Sequence, residues 1–132
     1  MLFPGSFQAA FLALLRLPSM YEVMLLPIHE FPLAAFNGCA GIASLAFGGT
    51  LHNPEDDTSF SYPQLETLQL IHCPSAATLI SKTMASQLRE FTFSSDREVD
   101  FPPFVEVLRA CSNSLIKLNL DMELACKSFR SL

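Results

Sequence analysis

Few residues in this 132-residue chain could carry chemistry, so each can be weighed in turn. The imidazoles are His29, His52 and His72, and the thiols are Cys39, Cys73, Cys111 and Cys126. A nucleophilic site needs a thiol or hydroxyl within hydrogen-bond reach of a base. His72 and Cys73 are adjacent, and adjacent residues of an extended segment point to opposite faces, which rules them out as such a pair. No Cys-x-x-Cys is present, so zinc and dithiol redox chemistry find no ligand spacing. Glu55, Asp56 and Asp57 form an acidic triplet without the alternating oxygen ligands and central glycine of a calcium loop, and read as a solvated loop. Gly48-Gly49-Thr50 has the composition of a phosphate cradle, but a polar loop follows it instead of a helix. The nucleophile-elbow, P-loop, dinucleotide and His-Glu-x-x-His motifs are absent. The reading is no enzyme, no catalytic residue, no metal and no cofactor. Two alternatives stand beside it: a small α/β enzyme, which needs a pocket where His72 or His29 meets an acid or nucleophile, and a truncated frame without independent function.

Composition narrows the partner. Eight basic against 13 acidic residues give a net charge of −5, which argues against binding a phosphate backbone. The cations Arg16, Lys82, Arg89, Arg97, Arg109, Lys117, Lys127 and Arg130 are scattered, so no nucleic acid is expected. Half of the residues are hydrophobic and only 16% charged, against about 25% in an ordinary domain. No membrane span is expected either. The apolar run Ala9 to Leu15 ends at Arg16, whereas a spanning helix needs about 20 apolar residues. No Lys or Arg precedes that run, as a secretory signal would require. Phe7, Phe11, Leu14 and Leu15 instead fall on one face of a buried helix. Four sparse thiols fit reduced, mostly buried cysteines and a cytoplasmic or nuclear location.

The elements that would position any site follow from a repeat. Met20-Val23-Leu25, Ile42-Leu45-Phe47, Leu65-Leu68-Leu70, Leu88-Phe91-Phe93 and Leu115-Leu118-Leu120 share one spacing of large apolar residues. Their starting positions lie 22, 23, 23 and 27 residues apart, within the 20–29 residues of a leucine-rich repeat. The bare spacing also occurs from Leu12, Val23 and Ile28, so the regular period carries the argument and the motif count does not. Between segments the pattern turns helical. Pro32 to Phe36, Pro74 to Ile80 and Pro102 to Leu108 each begin with proline, which suits a first helical turn. His52 to Ser59 is polar and reads as an irregular loop. The expectation is an α/β leucine-rich-repeat solenoid of about five strand–helix units with a curved parallel sheet. Residues 1–132 form one domain of it, part of a longer stack, with strands near 20–25, 42–47, 65–70, 88–93 and 115–120.

Leu17-Pro18-Ser19-Met20-Tyr21-Glu22-Val23, Tyr62 to Leu70 and Ser114 to Leu120 resemble the repeat region of F-box/leucine-rich-repeat proteins, particularly the divergent fungal members. The resemblance spans roughly residues 7 to 126. It implies substrate recognition for an F-box-type ubiquitin ligase, although no F-box precedes the repeats in this sequence. At the position where the family carries Asn or Cys, this chain has Ile28, Thr50, Cys73, Asp96 and Glu123, and only Cys73 conforms.

In such a repeat the strand leucines point inward and the residues between them outward. The expected partner-binding stripe is therefore Glu22 and Met24, Ser44 and Ala46, Thr67 and Gln69, Glu90 and Thr92, Lys117 and Asn119. It is small, polar and of mixed charge towards the C-terminus and more apolar at the start, which suits a protein partner better than a chemical site; the alternative is an ordinary solvated sheet face. The apolar first helix lacks a polar cap, so exposed hydrophobic surface at one or both ends and poor solubility are expected.

Overall fold

Strand alternation decides the architecture. The computed structural model describes residues 5–52, 60–76, 79 and 84–122. Five strands, β1 (Glu22–Pro32), β2 (Ser44–His52), β3 (Thr67–Ile71), β4 (Glu90–Ser95) and β5 (Lys117–Met122), form a single sheet. They lie in sequence order, each parallel to its neighbours. The described residues include two α-helices, α1 (Gly5–Leu15) and α2 (Phe101–Ala110). The fold is thus α/β. Among the described strands the order does not reverse, so they form no topological switch point of the kind at which doubly wound sheets bind ligands.

Two apolar rows run straight across the sheet. Val23, Leu45, Leu68, Phe91 and Leu118 pair in register, and so do Leu25, Phe47, Leu70, Phe93 and Leu120. In β1 to β4 every member of both rows is buried. At the β5 edge Leu118 and Leu120 remain 41% and 45% exposed. Ile42, Leu65 and Leu88, each just before its strand, are buried beneath the chain's return.

One hydrogen-bond pattern repeats at each strand entrance. The Tyr21 carbonyl accepts from the amides of Ala43 and Ser44, and the Ala43 carbonyl from those of Glu66 and Thr67. The Glu66 carbonyl accepts from Arg89 and Glu90, and that of Arg89 from Ile116 and Lys117. The four acceptors are one period apart, so the backbone locks successive units in register before any side chain is considered.

The connections differ from one another. In the fourth, Pro102 and Pro103 open α2 within its first turn. That helix lays Phe104 on Phe93, with ring centroids 4.3 Å apart. In the first, the helix expected from Pro32 is only a 3₁₀ turn, Leu33–Phe36. Pro32 is still paired with His52, and Gly38 at φ +78° ends the turn before a helix can propagate. In the third, Pro74 to Ala76 form a turn and Leu79 is buried, while much of the expected helix lies outside the described residues. The acidic triplet Glu55–Asp57 and Cys126 also lie outside them.

Two further expectations need correction. β1 runs seven residues past Leu25 despite Pro27 and Pro32. As an edge strand it has one row of amides that no neighbour requires, so proline is tolerated there. α1 buries only Leu15, with Phe11 and Leu12 partly covered, and leaves Phe7 and Leu14 half exposed. Its C-terminal part alone reaches the core, where Phe11 meets Phe31 edge-on at 6.2 Å. No described helix is long and apolar enough to cross a membrane.

Candidate functional site

The ten outward residues form two complete rows on the face opposite the core. Glu22, Ser44, Thr67, Glu90 and Lys117 lie in one, and Met24, Ala46, Gln69, Thr92 and Asn119 in the other. Met24 stands 65% exposed at one end, and Asn119 donates from Nδ2 to Thr92 Oγ1 at 3.3 Å at the other. Ala46 corrects the expectation of an exposed side chain at every position. It is buried, because its single methyl group lies in register between the longer Met24 and Gln69.

A third outward row was not foreseen. Gly48, Ile71, Ser94 and Asp121 continue the face toward the carboxyl ends of the strands. Leu26 joins them from β1, close enough for its Cδ2 to lie 2.6 Å from where a Cβ on Gly48 would be. This third row is therefore apolar over β1 to β3 and polar over β4 and β5.

The Gly48-Gly49 pair is explained by packing. Gly49, at φ +122°, lies so near β1 that a Cβ would sit 1.9 Å from the Ile28 carbonyl oxygen. The register shifts on either side of Ile28 arise at this contact. Thr50 completes it, because its hydroxyl accepts the amide of Glu30, a residue held at φ +55°. These three residues shape the β1–β2 junction and form no phosphate cradle.

Among the described residues, a cluster of ionisable groups lies at the carboxyl edge. His72, at φ +49° with its amide donating to the Ser94 carbonyl, ends β3. Its Nδ1 is 3.4 Å from Asp96 Oδ1 and 4.0 Å from Asp100 Oδ2. Asp100 is fully buried and accepts from the Ser95 hydroxyl. Arg97 also donates to it, from Nε at 3.3 Å and from Nη2 at 3.2 Å. Burying a carboxylate is tolerable only with such partners. Sequence reasoning missed Arg97 and Asp100 as a unit. The signal was present as the charged run Asp96-Arg97-Glu98-Val99-Asp100 directly before Phe101-Pro102-Pro103 in a weakly charged chain.

His72 thus meets two acids, but among the described residues no nucleophile joins them. The buried Ser95 hydroxyl donates to Asp100 and accepts the Arg97 amide, so it is committed to the loop. Cys73 points away into the core, with Sγ 3.8 Å from Ser75 Oγ. Burial pushes the thiols of Cys39, Cys73 and Cys111 up from their ordinary values, which keeps them protonated and poorly nucleophilic. Among the described residues no three His, Cys, Asp or Glu side chains are placed to hold a metal ion.

Two cavities adjoin His72. One, of about 170 Å³, is lined by His72, Ser94, Ser95, Asp96 and Asp121. The other, of about 300 Å³, is lined mainly by Leu26, Pro27, Gly48, Gly49 and Ile71, with His29, His72 and Arg97 at its rim. A separate cavity of about 330 Å³ lies between α1 and the 3₁₀ turn, against Gln8, Leu12 and Arg16. Compared with protein-family models, curated sequences and solved structures, the chain matches none.

Proposed function

We propose that this protein is a protein-recognition module of the leucine-rich-repeat type, a short solenoid that contacts its partner through the outward rows of the sheet. The observation that carries the reading is the register. Ten side chains from five strands fall into two straight rows on one continuous face, spaced by the roughly 4.8 Å between strands. Such a surface offers a partner a broad array of small hydrogen-bonding groups, with Met24 as an apolar anchor at one end. The steps of 22, 23, 23 and 27 residues and the repeated entrance hydrogen bonds support the solenoid. The resemblance to F-box/leucine-rich-repeat proteins makes presentation of a substrate to a ubiquitin ligase the specific form of this reading, by analogy with that family.

The test is affinity capture from cells with the full chain, compared with Gln69→Arg at the centre of the face. Gln69 is half-buried, so the longer arginine stands above the sheet without entering the core. The expected result is loss of the captured partner with an unchanged melting temperature. Retention of the same partners by Gln69→Arg, together with a Thr67→Arg variant, would overturn the reading.

A further inference from the structure

We propose that the two cavities flanking His72 form one bipartite docking site for an extended peptide bearing an apolar residue and, two positions later, an arginine. This inference rests on the protein-recognition reading and names the chemistry of the segment recognised. The larger cavity supplies an apolar seat. Leu26, Pro27 and Ile71 line it, and Gly48 leaves open the space between Leu26 and Ile71 that a side chain would fill. Its volume of about 300 Å³ accommodates one side chain of leucine or methionine size, with space to enter from solvent.

Charge complementarity defines the other half. The smaller cavity is lined by Asp96 and Asp121 together with Ser94, the register partner of Asp121. Asp100 adds no net charge there, because Arg97 neutralises it within the loop. Two carboxylates and a hydroxyl line the space beside His72, in a chain whose net charge is already −5. A guanidinium suits this set better than an ammonium, since its planar fork serves two carboxylates and a hydroxyl at once. The His72 ring adds a flat surface on which that plane can stack.

Geometry fixes the spacing. The apolar seat centres on Gly48 and Ile71 of β2 and β3, and the acidic one on Ser94 and Asp121 of β4 and β5. Two strand spacings separate them, roughly 10 Å. An extended peptide advances about 7 Å in two residues and returns to the same face, and the long arginine stem covers the difference.

Fluorescence anisotropy with the full chain tests this, using a blocked, labelled peptide Gly-Gly-Leu-Ser-Arg-Gly-Gly at low salt. Replacing arginine by the uncharged citrulline is expected to weaken binding roughly tenfold, and leucine by serine about as much. Asp121→Asn, at an exposed edge position, is expected to cost about fivefold. Ile71→Ser should weaken the leucine peptide more than the serine peptide, a difference that mere misfolding would not produce. Equal binding of the arginine and citrulline peptides, or no binding of any, would overturn the proposal. The row variant Gln69→Arg separates the two readings. If it abolishes partner capture while the peptides fail to bind, recognition stands and the bipartite site falls. If the peptides bind with these preferences while capture is unaffected, the site stands and the rows are not its partner's footprint.

Discussion

Gly49 lies directly against Ile28, so close that a Cβ at position 49 would be 1.9 Å from the Ile28 carbonyl oxygen. Atoms do not approach so nearly, and φ +122° is a conformation that only glycine adopts readily. Gly49→Ala must therefore push β1 away or rebuild the bulge around Ile28. A loss of roughly 3 kcal/mol or more is expected in urea denaturation, from strain and disrupted pairing together. Gly5→Ala is the control. Nothing lies within 4 Å of that position, and stability should change by less than about 0.5 kcal/mol.

The Arg97–Asp100 pair predicts an asymmetry. Asp100 is fully buried, while Arg97 is about half exposed and can turn to water. Asp100→Ala removes the carboxylate acceptor of the buried Ser95 hydroxyl, leaving it only the longer bond to the Arg97 carbonyl at 3.3 Å, and should cost about 2 kcal/mol. Arg97→Ala leaves a buried carboxylate without its cation and should cost more, roughly 3 kcal/mol. The double variant should be about as stable as Asp100→Ala alone. A strictly additive double-mutant cycle would show that the two side chains act independently.

Within one apolar row, position across the sheet should set the cost of truncation. Phe93 is fully buried and stacked on Phe104, whereas Leu120, its register partner, is nearly half exposed. Phe93→Ala is expected to lose about 3–5 kcal/mol, enough to unfold a domain of ordinary stability. Leu120→Ala should lose no more than about 1.5 kcal/mol, since much of its surface stays in water either way. Chemical denaturation of both variants gives the comparison.

The same contrast explains what could be read from the sequence. Large apolar residues recur at every second position of the strands, with polar ones between them in β3 to β5, and their spacing recurs after 22, 23, 23 and 27 residues, so strand positions and register follow from the repeat. α2 was legible because two prolines and an apolar face coincide. The extension of β1 to Pro32 was not, because Pro27 and Pro32 read as breakers and only a sheet edge makes them acceptable. α1 misled in the opposite sense: its Phe and Leu spacing marks one face, but the degree of burial depends on what packs there. The two rows of candidate residues followed from alternation alone. The His72 edge did not, because His72, Asp96 and Asp121 come from three different repeats and meet only through the register.

The thiols give a pH prediction. The Cys73 thiol is pushed up chiefly by burial, with the nearby Asp100 charge adding to the effect and Ser75 and Arg97 opposing it. Cys39 and Cys111 are raised chiefly by burial as well. In the unfolded chain all three ionise near the ordinary thiol value of about 8.5. Above that pH the unfolded state loses protons that the folded state retains, so ionisation favours unfolding. The contribution of these groups is fully present below the ordinary value and is lost as pH rises toward the raised ones. Stability should therefore fall as pH rises above about 8.5, and a Cys73→Ala variant should flatten part of that fall. Iodoacetamide labelling at pH 8, followed site by site by mass spectrometry, checks the same burial. Cys39, Cys73 and Cys111 should react at least tenfold more slowly in the native protein than in urea. Native-state labelling of Cys73 at the rate seen in urea would place that thiol outside the core.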